Sequence, residues 1–151
     1  MSIAQELRAI AAQTATEYLG LIPHLLPLVS AIGPFGLEPR LRELAVLAVM
    51  EGRGCRACGA THRTIGWLAG LTEPELYGDL SGLTAAERSA VFLALGTVSR
   101  LPEDFVADQP DHHFTPLQLR QLEAVALAAK AACNLGRAAQ ELRTFRSGLE
   151  T

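Results

Sequence analysis

Residues 39–62, PRLRELAVLAVMEGRGCRACGATH, predict two helices joined by a short break, and this pattern organises the rest of the chain. The segment 39–50 predicts a helix, because a proline is tolerated in the first helical turn and an apolar run follows it. Residues 52–54, Gly-Arg-Gly, interrupt that pattern, and a second helix should begin near Cys55 and run to about Ala69. A break this short predicts that the two helices fold back on each other as an antiparallel hairpin.

The second of these helices carries the residues that indicate chemistry, namely Cys55, Cys58 and His62. At 3.6 residues per turn, their side chains fall within an arc of roughly 60° on one side of the helix. Two thiols one turn apart can close a disulfide, bind a metal or do neither. The spacing alone does not decide among these outcomes.

Two arguments favour two different cysteines as the reactive thiolate. Cys55 lies at the start of the helix, where free amides and the helix dipole favour a thiolate. Cys58 has His62 one turn further on, where an imidazole can accept its proton. We therefore expect a division of labour in which Cys58 attacks substrate and Cys55 resolves the intermediate and exchanges with an outside reductant. Glu43 lies on the preceding helix of the hairpin. A lone Glu on a helix is more often a solvated surface charge, but this one could also orient His62 or take its proton.

Composition predicts a single all-α domain over residues 1–151. Hydrophobic residues make up 49% of the chain but aromatic residues only 5%, and β-branched residues are too few for a sheet-dominated fold. The net charge of -3, with scattered Lys and Arg, argues against a nucleic-acid partner. Capping signals, prolines and glycines predict a bundle of six or seven helices. Beyond the hairpin, helices are expected at 3–19, just after Thr72, at 85–99 and at 115–145, with a loop at 101–113.

The N-terminal third of the chain raises the question of a membrane. Residues 1–20 lack the pattern of a secretory signal, so we expect a cytoplasmic protein. Residues 19–37 contain no Asp, Glu, Lys or Arg and approach the length of a membrane span. Three prolines and three glycines interrupt them, which predicts a buried, broken helical segment of the core instead of a span. In a reducing cytosol a Cys-x-x-Cys pair is more often catalytic or metal-binding than structural.

The other candidate residues are weaker. Cys133 lies in an Ala-rich helix with no second thiol or imidazole close in sequence, and we expect it to be buried and inert. His112 and His113 are predicted to be solvated in a loop. His24 is predicted to be packed or capped. Trp67 and Tyr77 are expected to be core and interface anchors.

The segment from Leu37 to Leu44, followed twelve residues after Glu43 by Cys55-x-x-Cys58-x-x-x-His62, resembles a family signature. It is similar to that of the alkylhydroperoxidase D-like (AhpD-like) branch of the carboxymuconolactone decarboxylase family. The resemblance covers residues 37–65, with weaker similarity at 83–88 and around Cys133. Family members often carry a His just before the second Cys, where this chain has Ala57.

The resemblance implies an all-α homo-oligomer, trimeric or hexameric, that reduces a peroxide substrate through a cysteine pair. Its implied catalytic residues are Glu43, Cys55, Cys58 and His62. An external dithiol would reduce the oxidised cysteine pair, and no flavin, haem or metal would be needed. The abundance of apolar helix faces also favours an oligomer, because one small core does not need so much apolar surface.

Two alternatives remain open from the sequence. The first is a metal-binding protein with Cys55, Cys58 and His62 as ligands, and Glu43 or a loop His as the fourth. The second is a redox sensor whose cysteine pair changes state without turnover. Metal analysis and a peroxide turnover assay separate these alternatives from the enzyme.

Overall fold

The computed structural model describes residues 3–34, 36–99 and 113–149, and in these ranges the chain is helical with no β-strand. The all-α class predicted from composition is confirmed. The described helices are α1 (Ile3–Gly20), a 3-10 turn (Ile22–His24), α2 (Leu25–Ile32), α3 (Pro39–Gly52), α4 (Arg56–Leu68), α5 (Glu73–Leu76), α6 (Ala85–Val98) and α7 (Pro116–Leu149). The predicted loop at 101–113 lies outside the described residues, except for its last residue.

Local signals in the sequence account for the helix boundaries. α3 begins at Pro39 as predicted, and the break after it turns at Gly54, whose φ of 66° is a left-handed conformation that favours glycine. Thr84 caps α6 reciprocally with Glu87, because each residue bonds the backbone amide of the other. The same arrangement starts α5, as the repeated Thr-x-x-Glu pattern predicts.

Helix α3 lies at the centre of the molecule and packs against α4, α6 and α7. One apolar cluster joins α3 to α6 and α7 and includes Val49, Ala90 and Leu122. A second cluster joins α3 to α5 and α6 and includes Leu47 and Leu76. Because α3 supplies side chains to both clusters, it is buried on nearly every side.

The segment 19–37 is broken as predicted, but the prediction that it is buried was wrong. The exposed fraction is 64% for Leu19, 83% for Leu26 and 67% for Val29. α2 is short and packs against α7, so its outer side has no partner among the described residues. The helical stretch Arg8–Ile32 is long and apolar enough to cross a membrane, by length and composition.

Two aromatic residues and the three histidines outside the motif were also assigned environments from the sequence. Trp67 and Tyr77 are exposed, so they are not the core anchors that we expected, and Tyr77 stacks under the Arg63 guanidinium. His24 is half-buried and makes no side-chain cap. His113 is exposed, whereas His112 lies outside the described residues.

Arg40 joins three separate segments around α3. Its Nε donates to Glu87 at 2.6 Å, its Nη2 to Glu75 at 2.5 Å and its Nη1 to the carbonyl of Gly70 at 2.6 Å. Glu75 is 8% exposed. The hydrogen bond from Arg40 outweighs burial and lowers the pKa of Glu75 to about 2. The ion pairs therefore hold α5 and α6 to the start of α3.

We expect Arg40→Met to destabilise the protein by about 3 kcal/mol, because it leaves the buried Glu75 carboxylate without its cation. This is the low end of the range for a buried pair, since Arg40 itself is partly exposed. Because the pKa of Glu75 is lower in the folded than in the unfolded protein, its ionisation stabilises the fold at pH values above the ordinary pKa of 4.5. This stabilisation is lost as the pH falls from 4.5 towards 2. Urea unfolding at pH 7 and pH 3 should therefore show a smaller acid loss in the variant.

Arg143→Met is the matched control, because Arg143 is exposed on α7. It should change stability by less than about 0.5 kcal/mol. Equal stabilities for the two variants at pH 7 would contradict the role assigned to Arg40.

Candidate active site

The turn between α3 and α4 places the two motif cysteines at the start of α4. Cys55 occupies the N-cap position, and its backbone amide donates to the carbonyl of Met50 at 3.0 Å. Cys58 lies in the first turn, and both thiols are free and half-buried. α4 packs against α3, which confirms the predicted helical hairpin.

A third thiol lies beside this pair. The Cys133 sulfur, from α7, lies within 4.8 Å of the Cys55 and Cys58 sulfurs, which are themselves this close. Cys133 is 1% exposed, so its predicted burial is confirmed. Cys133 is far from the other cysteines in the sequence but close to them in the fold, because α7 packs against the start of α4. A Cβ at Gly136 would lie 3.8–3.9 Å from the Cys58 and Cys55 sulfurs, so glycine leaves room beside the pair.

The environment separates the three thiols by acidity. Burial raises the pKa of Cys55, but the Cys58 thiol and amide, the Cys133 thiol and the positive charge of Arg137 together lower it below the usual value. The Cys58 amide nevertheless falls short of a full N-cap hydrogen bond. Burial and the neighbouring Cys55 raise the pKa of Cys58. Burial, reinforced by Cys55, raises the pKa of Cys133 to about 12.

These directions favour a thiolate at Cys55, whereas the expectation that Cys58 attacks substrate stays a prediction. The expectation depended on His62 accepting the proton of Cys58. Among the residues that the structure describes, no hydrogen bond joins His62 to Cys55 or Cys58. The neighbours that lower a thiol pKa, namely Cys58, Cys133 and Arg137, act on Cys55 instead.

Glu43 and His62 form a hydrogen-bonded pair, as predicted. The His62 Nδ1 lies 2.8 Å from the Glu43 Oε2, and the Arg42 Nε donates to Glu43 Oε1 at 3.2 Å. Glu43 is 3% exposed. Burial raises its pKa, but the hydrogen bonds from His62 and Arg42 outweigh burial and lower it. The buried carboxylate therefore holds a proton on Nδ1 and leaves Nε2 of the imidazole as the proton acceptor.

The Glu43–His62 pair lies one helical turn along α4 from the thiols. Four residues separate Cys58 from His62, which corresponds to about 6 Å along the helix axis. General acids and bases act directly or through one water, so an oxygen of a bound substrate or a water can connect the two groups.

A polar network flanks the thiols on the other side and was missed by sequence reasoning. Asn134 accepts from Arg53 at 2.7 Å and from Arg137 at 3.2 Å, and its amide donates to Glu17 at 2.7 Å. These residues line a cavity of about 180 Å³ between α1 and α7. The spacing of Cys133, Asn134 and Arg137 on one helix could have indicated this network. That inference requires knowing that α7 packs beside the turn between α3 and α4.

The structure also changes the ligand set of the metal alternative. The ligand-forming atoms that it brings together in the described ranges are the thiols of Cys55, Cys58 and Cys133. His62, the third ligand of the predicted set, is bonded to Glu43 instead.

We expect Cys133→Ala to raise the pKa of Cys55, because it removes a neighbouring thiol that lowers this pKa. Cys133→Ser keeps a donor and should leave the pKa low. The measurement is the rate of Cys55 alkylation against pH, resolved by peptide mass spectrometry. Faster alkylation of Cys58 than of Cys55 at pH 7 would contradict the assigned order.

No family model, curated protein or solved structure matches the chain. The resemblance to the AhpD-like branch therefore stays a prediction that depends on the motif between residues 37 and 65.

Proposed function

We propose that the protein is a thiol-dependent peroxide reductase that cycles through a Cys55–Cys58 disulfide. The observation that carries the proposal is that two free thiols lie within 4.8 Å of one another at a helix start, where the pKa of Cys55 is lowered. A thiolate is the nucleophilic form, and a sulfenic acid beside a second thiol condenses to a disulfide. The imidazole of His62, oriented by Glu43, supplies a group that can accept or donate a proton.

In the first step the Cys55 thiolate attacks the terminal oxygen of a hydroperoxide. The O–O bond breaks, Cys55 becomes a sulfenic acid, and the departing alkoxide takes a proton and leaves as an alcohol. His62 in its protonated form is the donor of that proton, through Nε2. Glu43 acts as a positioning residue, because it holds Nδ1 and stabilises the imidazolium.

In the second step the Cys58 thiol attacks the sulfenic sulfur and forms the disulfide. Water leaves, and the proton of Cys58 passes to the departing hydroxide through His62. An external dithiol then reduces the disulfide by exchange and is itself oxidised to a disulfide. Its two protons return to Cys58 and His62, which closes the two-electron cycle. We place this reaction in the cytoplasm, where dithiol reductants keep thiols reduced.

A redox sensor is the second candidate, because the same thiol pair forms the same disulfide in it. Turnover separates the two, since a sensor consumes about one equivalent of peroxide and then stops. An enzyme continues while the dithiol lasts.

The test is a steady-state assay with hydrogen peroxide and an organic hydroperoxide, each with several dithiols. Cys55→Ser and Cys58→Ser should each abolish turnover, because each removes one half of the disulfide. After oxidation of wild-type protein, mass spectrometry should show the loss of two hydrogens within the peptide that contains Cys55 and Cys58. Cys133 should stay a thiol, and Cys133→Ser should keep most of the turnover. A pair that stays reduced under excess peroxide would exclude the proposal.

His62→Ala and Glu43→Gln refine the same assay. Acid–base assistance contributes about 10²–10⁴-fold, so each variant should lose turnover within that range. The double variant should lose little beyond the worse single variant, because residues that act as a unit are not additive. His113→Ala, which removes an exposed imidazole before α7, is the matched control and should not change turnover. Unchanged turnover in both single variants would leave Glu43 and His62 with a structural role.

We also propose that the protein is a homo-oligomer, a trimer or a hexamer. The proposal is supported by neighbouring exposed apolar side chains from the end of α1 through α2, which we call the N-terminal apolar face. Its members are Leu19, Ile22, Leu25, Leu26, Val29 and Ile32. Apolar surface of this kind on one side of a domain is typical of an interface.

Light scattering at micromolar concentration should give a multiple of the 16.1 kDa chain mass. Leu26→Glu combined with Val29→Glu should lower that mass to a single chain, because both residues are exposed on the N-terminal apolar face. Arg143→Glu on α7 is the control and should not change it. A mass near 16.1 kDa for the wild-type protein would exclude the oligomer.

A further inference from the structure

We propose that Cys55, Cys58 and Cys133 form a binding site for a thiophilic d10 metal ion, Cu⁺ or Zn²⁺. The three sulfurs come from two helices and lie within 4.8 Å of one another. This function is separate from peroxide reduction, because it needs the third thiol and no turnover. It also differs from the ligand set expected from the sequence, since Cys133 takes the place of His62.

The geometry is close to that of a bound metal. A metal–sulfur bond of about 2.3 Å gives sulfur separations of about 3.8 Å in a tetrahedral site and about 4.0 Å in a trigonal one. The sulfurs therefore have to approach one another by less than about 1 Å, which side-chain rotation supplies. Two of them are fixed one turn apart at the start of α4, and the core holds the third.

The charges around the thiols favour an anionic cluster that contains a cation. Three thiolates in a half-buried site are costly unless a metal coordinates them. The start of α4 presents its free amides to the sulfurs, and the helix dipole adds positive potential there. Arg137 adds positive charge near Cys55, and Arg53 does so near Cys133.

The donor set selects the class of metal. Thiolates favour Cu⁺ and Zn²⁺ over oxygen-seeking ions such as Mg²⁺ or Ca²⁺. The nearby carboxylate of Glu43 is already bonded to His62 and Arg42. Among the described residues the group contains three ligand atoms, all of them sulfur. Three thiolates complete a trigonal Cu⁺ site, whereas Zn²⁺ takes a water or an external thiol as its fourth ligand.

The test is a titration of reduced, metal-free protein with each ion in competition with a chromogenic chelator, without peroxide. We expect one ion per chain. Cys133→Ala should weaken binding by more than roughly 100-fold, which exceeds the 10–100-fold effect of residues behind the ligands. Cys133→Ser should weaken it similarly, and circular dichroism checks that both variants stay helical. His113→Ala, which removes an exposed imidazole before α7, is the matched control and should bind with unchanged affinity.

A second measurement uses wild-type protein alone. Oxidation of the Cys55–Cys58 pair by hydrogen peroxide, which is reduced to water, removes two of the three ligands, so oxidised protein should not bind either ion. Saturation by Cu⁺ only or by Zn²⁺ only supports the site and identifies its ion. Equal affinity in wild type and Cys133→Ala would overturn the proposal. The titration does not measure peroxide turnover. A protein without peroxidase activity could therefore still show the metal site.

Discussion

The hydrogen bond between His62 and Glu43 is the interaction on which the rest of the site depends. Glu43 is charged and lies within the most buried helix of the molecule, where an unpaired carboxylate would be costly. His62 on α4 and Arg42 on α3 satisfy its two oxygens. The pairing therefore fixes the rotation of α4 about its own axis against α3. That rotation determines where the cysteines at the start of α4 point, so a polar contact inside the core sets the position of the thiols.

Local signals account for the part of the structure that could be predicted. The hairpin, the capped starts of α5 and α6 and the pairing of Glu43 with His62 all depend on residues close in sequence or on one short turn. A proline at a helix start and a glycine with positive φ at Gly54 have the same meaning in most folds. The helices that carry these signals therefore begin at the residues predicted from the sequence.

What could not be predicted depends on contacts between distant segments. The lowered pKa of Cys55 depends partly on Cys133 and Arg137, which follow it by more than seventy residues. An isolated cysteine in an Ala-rich helix gives no sign of the thiols that it contacts. Composition also does not show which side of an apolar helix packs against another helix. For that reason residues 19–37 were expected in the core, although most of their large side chains are exposed.

The position of Cys55 at the N-cap of α4 links the chemistry of the sulfur to the local stability of the helix. Ser, Thr, Asp and Asn are the usual N-caps, and a neutral thiol is a poor substitute for them. A thiolate is a better acceptor for the free amides, so ionisation strengthens the first turn. A disulfide carries no charge and weakens it again. The start of α4 is therefore expected to fray more readily when the pair is oxidised, at the stage of the cycle when an incoming reductant has to reach the sulfur.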